Sequence, residues 1–158
     1  MNTEDFNKQL QYGQDGEREI AARLISNGFA VMPLYQFSAS FAPTIYSNNG
    51  NYTCPDLMCF SASYQMFVDS KKKRQWVTYS GGKETGINKN HYEAYKKLSD
   101  TTGIDMYLVF IHDENEPMGI YITEIHNEHT RSWDGYYNGN YRCKPMVFFT
   151  SESLRRIK

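Results

Sequence analysis

"PDLMCFSASYQMFVDSK", residues 55–71, holds two short apolar runs, DLMCF (56–60) and QMFVDSK (65–71), separated by SASY. Runs of this length with a short polar connection read as an antiparallel hairpin. Side chains alternate across a strand, so Phe67, Asp69 and Lys71 share one face and Met66, Val68 and Ser70 the other. The short turn brings Asp56 level with the far end of the partner strand, where Asp69 lies. Two carboxylates then converge beside one lysine. Like charges held together raise a pKa unless a cation fills the gap. A hard divalent ion such as Mg²⁺, which takes carboxylate, water and phosphate oxygens, suits the place. Such an ion polarises a phosphoryl oxygen and activates water, and a neighbouring lysine offsets charge that grows on phosphorus. In outline this is a site for phosphodiester hydrolysis. Taken by itself, the Asp69–Lys71 pair reads first as a strand-end ion pair, and only its conjunction with Asp56 and Glu17 favours the hydrolytic reading.

Working outward, residues 3–27 read as helix, with a break expected near Gly13 and Gly16 because glycine weakens a helix interior. Glu17, Ile20, Ala21 and Leu24 fall on one helical face, and Asn27-Gly28 supplies the stop. Residues 29–35 read as a strand and 36–52 as a long loop or flap with a turn at Asn49-Gly50. On the other side of the hairpin a basic loop leads to a helix over 88–103, a buried strand over 104–112 and a further strand over 119–125. In the tail, PMVFF reads as an edge strand and SESLRRI as a short helix begun by Ser151. Helix, strand, hairpin, helix, strand is the order of an α/β sandwich around a mixed sheet.

The chain has 158 residues, 40% hydrophobic and 22% charged, which suits one domain over 1–158. Its core is expected over about 13–112, with 113–158 as a C-terminal extension. No stretch approaches the ~20 apolar residues of a membrane span, and the N-terminus is too polar for a secretory signal. A soluble, intracellular, cytoplasmic protein is therefore expected. Cys54, Cys59 and Cys143 form no C-x-x-C pair, which argues against a zinc site or a disulfide framework. The net charge is −1, yet between Lys71 and Lys97 eight Lys or Arg stand against two Glu. That distribution fits either a solvated helix and loop or a surface for anions.

Pro55-Asp56, Asp69 thirteen residues beyond Asp56, and Ser70-Lys71 resemble the signature of the PD-(D/E)XK nuclease superfamily, in the form with Asp as second acid. Upstream, GQDGEREIAARLISNGFAV (13–31) is most similar to the first helix of the archaeal Holliday-junction resolvase type. The similarity runs over roughly residues 13–111. It implies a restriction-endonuclease-like sandwich with an αβββαβ core and a Mg²⁺- or Mn²⁺-dependent deoxyribonuclease. The resemblance makes Asp56, Asp69 and the Ser70 carbonyl metal ligands and Lys71 the catalytic lysine. It makes Glu17 the helix-borne acid that completes the site through metal or water. Glu17 lies on the apolar stripe with Ile20 and Leu24, where an acid needs a partner. His91 and Tyr95 sit where many relatives place Gln and Tyr, so His91 is a departure. DNA is the implied partner, with RNA not separated from it, and a homodimer follows if the resolvase likeness holds. A nuclease-fold nucleic-acid-binding protein without catalysis is the alternative.

In that reading Lys72, Lys73, Arg74, Lys83, Lys89, His91 and Tyr95 contact nucleic acid, the cations giving salt-sensitive phosphate affinity. Trp76 reads as core or as a stacking platform, with Tyr79 beside it. YSGGKETG (79–86) lacks the P-loop pattern and is expected to be a mobile loop. His126 and His129 are spaced i, i+3 for a helical metal pair with Glu124 or His112 as third ligand, or are solvated histidines. SWDGYYNGNYR (132–142) has the turns and aromatics of a surface hairpin and no assigned ligand. Arg155 and Arg156 read as surface charge.

Overall fold

In the computed structural model the described residues are 3–34 and 43–157, with side chains of the first helix described from residue 11. The flap expected over 36–52 therefore lies partly outside them. Helix α1 (Thr3–Ser26) runs unbroken through Gly13 and Gly16. The break expected there is corrected, and packing supplies the reason. A Cβ at Gly16 would lie 2.9 Å from the Lys72 Cβ, so α1 rests on its neighbouring strand at a distance only glycine permits.

Strand β1 (Ala30–Pro33) follows, then a hairpin of β2 (Thr44–Ser47) and β3 (Gly50–Thr53). The expected hairpin appears as β4 (Leu57–Phe60) and β5 (Gln65–Lys73), antiparallel, with Leu57 opposite Val68. Its turn is fastened by Tyr64, whose hydroxyl donates to Asp105 at 2.7 Å. The expected basic mobile loop is instead ordered as a second hairpin. β6 (Val77–Tyr79) and β7 (Gly82–Asn88) pair across Ser80-Gly81, both with positive φ, so Tyr79 faces Gly82. Helix α2 (Lys89–Thr102) then ends on Gly103 in the left-handed conformation, whose N–H reaches Ser99 O at 2.8 Å.

After α2 come β8 (Asp105–His112) and β9 (Gly119–Glu124). Four short strands follow: β10 (Arg131–Trp133), β11 (Tyr136–Tyr137), β12 (Asn140–Tyr141) and β13 (Met146–Thr150). The chain closes with β14 (Arg155–Ile157). The helix expected over SESLRRI is a turn leading into this strand. Ser153 folds back on Thr150, and Arg155–Ile157 pair with β9, so a free sheet edge overrides local helix propensity.

The main sheet has the order β1-β4-β5-β8-β9-β14, and only β5 and β8 are parallel. A parallel pair needs a long crossover, which β6, β7 and α2 provide. Read along this sheet and its helices, α1, β1, β4, β5, α2 and β8 give the αβββαβ order. On one sheet face α1 buries Ile20 and Ala21 against Leu57, Met66, Val68 and Val109. On the other, Phe67, Met106, Leu108 and Phe110 pack against Tyr92, Tyr95 and Leu98 of α2 and against a four-stranded sheet β10-β13-β7-β6. Among the described residues no helix is long and apolar enough to cross a membrane.

Candidate active site

The two-residue period of β5 sends Phe67, Asp69, Lys71 and Lys73 toward α2, and β4 delivers Asp56 at the adjoining strand start. Asp56 is buried, and its Oδ2 accepts from the Ser70 N–H at 2.7 Å and from the Ser70 hydroxyl at 3.3 Å. The strand backbone thus fixes this carboxylate. Asp69 is wholly buried, and its Oδ1 accepts a hydrogen bond of 2.7 Å from the Tyr95 hydroxyl on α2. Its Oδ2 accepts no aligned hydrogen bond and lies 2.8 Å from Lys71 Nζ as an ionic contact.

Lys71 is the centre of the group. Its Nζ lies 2.8 Å from Asp69 Oδ2, 3.4 Å from the Ser70 carbonyl and 3.8 Å from Asp56 Oδ2. Three oxygens, two from β5 and one from the residue just before β4, therefore surround one cationic nitrogen whose side chain keeps 31% of its surface open. Burial works against the ammonium, but Asp56 and Asp69, with a smaller pull from Glu17, outweigh it and hold its pKa above the ordinary lysine value. Glu17, in the middle of α1, thus reaches the site with its charge.

Two further groups are tuned by the same cluster. Burial, then the Lys71 charge, lowers Lys73 to about 8, with Asp69 partly opposing. His91, on the first turn of α2, is pushed down by burial and then by Lys71 and Lys144, with Asp56 pulling the other way. Its ring meets that of Tyr95 edge-on at 6.0 Å.

Of the expected nucleic-acid contacts, Lys73, His91 and Tyr95 stand at this cluster. Lys72 takes the opposite parity of β5, and Arg74, just past the strand's end, lies on the same side, toward α1. Lys72 Nζ pairs with Asp113 at 2.8 Å and lies 4.7 Å from the centre of the Tyr12 ring, and Arg74 lies over the same ring at 5.0 Å. Lys83 is exposed on the β6–β7 hairpin, 3.4 Å from Thr78 Oγ1. Lys89 opens α2, 3.8 Å from Glu93. Trp76 is buried in the core, stacked on His112 at 3.7 Å, with its indole N–H donating to Pro117 O. Tyr79 is exposed on the second sheet beneath Arg131.

Of the two readings of His126 and His129, the helical metal pair is the one that the fold does not support. Both follow β9 outside any helix and have different partners: Ser99 and Asp100 for His126, Ser132 and the Tyr92 ring for His129. His112 is buried elsewhere, against Trp76 and Tyr121. Lys144 was not anticipated as a neighbour of His91. It comes from a loop remote in sequence, and no local pattern marks it.

Among the described residues no group of three or more His, Cys, Asp or Glu side chains is arranged to hold a metal ion. The donors that do converge are two carboxylates and a carbonyl, hard oxygens of the type Mg²⁺ takes alongside water and phosphate. The Lys71 ammonium stands among them as a stand-in cation. The donor chemistry fits a divalent ion of modest protein ligation.

No family model matches this sequence, and no curated protein matches it. Among solved structures, the chain is similar to Hjc of Archaeoglobus fulgidus, a Holliday junction resolvase from an archaeal hyperthermophile. The match covers 89% of this chain and 90% of that one, with a TM-score of 0.56 and 12% sequence identity. The fold is restriction-endonuclease-like. In this fold the first helix, the β4–β5 hairpin and α2 are the elements that meet at the carboxylate–lysine cluster.

Proposed function

We propose that the chain is a metal-dependent endonuclease that hydrolyses DNA phosphodiester bonds. The observation that carries this reading is the convergence of Asp56 Oδ2, Asp69 Oδ2 and the Ser70 carbonyl on Lys71 Nζ. The likeness of fold to a Holliday junction resolvase supports it. In this reading Asp56, Asp69 and the Ser70 carbonyl hold Mg²⁺ or Mn²⁺, with Glu17 acting through the ion or its water. When bound, the ion supplies Lewis-acid polarisation of the phosphoryl group and a more acidic water.

The remaining roles belong to the chain itself. The Ser70 N–H orients Asp56, and Tyr95 holds Asp69 so that its second oxygen faces the cluster. Lys71, kept protonated by its acids, neutralises charge that develops on the phosphoryl oxygens. Lys73 and His91 border the site and meet the phosphates on either side of the scissile bond. A homodimer that cuts two strands symmetrically is part of the resolvase-like form of this reading.

The second reading is a DNA-binding protein on the same fold without catalysis. It is favoured by the ion pair itself, since Lys71 already satisfies the acids as a structural cluster. Incubation of plasmid and branched DNA with Mg²⁺, Mn²⁺ or EDTA separates the two. The first reading expects nicked or linear products with either ion and none with EDTA. Binding of the same DNA without products under any of the three conditions establishes the second.

A further inference from the structure

The segment between β10 and β13 carries a feature that the carboxylate–lysine cluster does not use. β11 and β12 form a two-stranded ribbon that belongs to neither larger sheet. Its turn is Asn138-Gly139, both with positive φ, as a tight two-residue hairpin requires. Tyr136 stands opposite Tyr141 with their rings edge-on at 5.7 Å, and alternation sends Tyr137 to the other face. All three rings are exposed, at 53%, 60% and 62% for Tyr136, Tyr141 and Tyr137. Burying such rings would stabilise the fold, so leaving three of them in water on one short ribbon points to a ligand.

The base of the ribbon is held firmly. Arg142 N–H donates to Gly135 O at 2.8 Å, Tyr136 N–H to Asp134 Oδ1 at 3.0 Å, and the Trp133 indole to Tyr136 O at 2.8 Å. The returning leg is tied to α2, where Lys89 N–H donates to Pro145 O at 2.8 Å. An open groove of about 660 Å³ lies between this base and the first turn of α2, with Trp133 and Lys89 among its walls. Lys144 directly precedes Pro145, so the returning leg meets α2 two residues before His91, whose ring meets that of Tyr95, the partner of Asp69. Lys144 is three residues from Tyr141, at most about 10 Å along the backbone and within the span of about three stacked nucleotides. Arg142 and Lys144 supply exposed positive charge along that path.

We propose that the ribbon around Tyr136, Tyr137 and Tyr141 is a base-stacking finger that binds unpaired nucleotides of a DNA strand next to the carboxylate–lysine cluster. Tyrosine faces bind any base by stacking, and the neighbouring cations follow the phosphates, the combination that sequence-tolerant single-strand binding uses. A continuous duplex keeps its bases stacked inside and offers the rings nothing. The inference rests on the nucleic-acid reading above and adds to it the form of substrate that is preferred: frayed, forked or single strands.

The test is fluorescence anisotropy in EDTA, with a single-stranded oligonucleotide, a fork and a blunt duplex of the same sequence. Wild type is compared with Tyr136→Ala/Tyr137→Ala/Tyr141→Ala and with the corresponding triple Phe variant. The proposal expects wild type to prefer the single strand and fork, and the Ala variant to lose at least about tenfold in affinity for them, the effect of losing about one stacked base. Duplex affinity should be unchanged, and the Phe variant, which keeps the rings and the ribbon, should bind like wild type. Equal binding of every DNA form by the Ala variant and wild type overturns the finger. So does wild type that binds no nucleic acid and retains instead a protein partner through the ribbon. Cleavage is scored separately: an Asp69-dependent nuclease with a dispensable ribbon keeps the endonuclease reading and loses this one. Ring-dependent binding without cleavage does the reverse.

Discussion

Asp69 is the residue on which most of the local order depends. One of its oxygens is spent on Tyr95 and the other on Lys71, and no water-exposed surface is left to it. Removing the phenol leaves a buried carboxylate oxygen short of a donor. Tyr95→Phe should therefore cost about 1–3 kcal/mol in stability, read by denaturant unfolding, and should also slow cleavage by loosening Asp69. A second residue responds to acid. Burial, then the charge of Lys73, lowers the His112 pKa from 6.5 to about 4, with Asp113 opposing. The unfolded chain thus takes up a proton near pH 6.5 that the folded chain refuses until about pH 4. Stability is retained above that window and falls as pH drops through it, by on the order of 3 kcal/mol for this group. Unfolding midpoints measured from pH 7 to 4 should show a shallower decline in His112→Phe, which keeps the stack on Trp76 and cannot titrate. An equal decline in both proteins contradicts the assignment.

At the scale of elements, the β4–β5 hairpin was legible because two short apolar runs flank a four-residue connection that leaves little choice of register, and side chains then alternate between the sheet faces. The same alternation contains a distinction the charge count hides. Lys71 and Lys73 share the face of Asp69, while Lys72 and Arg74 face α1 and Tyr12. Elements that depend on distant pairing were not legible. β7 contains glycine and has no strand-like periodicity, and it is held by β13, some sixty residues away. β14 is too short to signal itself and forms because β9 presents an open edge. The unbroken α1 belongs to the same class, since Gly16 is explained by the strand beneath the helix and not by the helix. Gly16→Val should push α1 off β5 and destabilise the protein by about 1–3 kcal/mol or more, despite valine's better helix propensity than glycine's. A thermal midpoint equal to that of wild type is the opposing outcome.

At the scale of the whole molecule, the sandwich brings together residues that are far apart in sequence: Glu17 on α1, Asp56 and Asp69 on the hairpin, His91 and Tyr95 on α2. The acids and the lysine were visible as a spaced motif. Their convergence on one nitrogen, and the arrival of Lys144 beside His91, required the fold. The net charge of −1 conceals this arrangement, because the acids that balance the basic segment are spread over the rest of the chain. The central claim is that these oxygens and this ammonium make a hydrolytic site, and the most direct measurement is the single-turnover cleavage rate of labelled branched DNA in Mg²⁺ by wild type and Asp69→Asn. The substitution keeps the shape and removes the charge, so the account predicts a loss of at least about a thousandfold, equivalent to roughly 4 kcal/mol in the barrier. Cleavage by Asp69→Asn at the wild-type rate contradicts it.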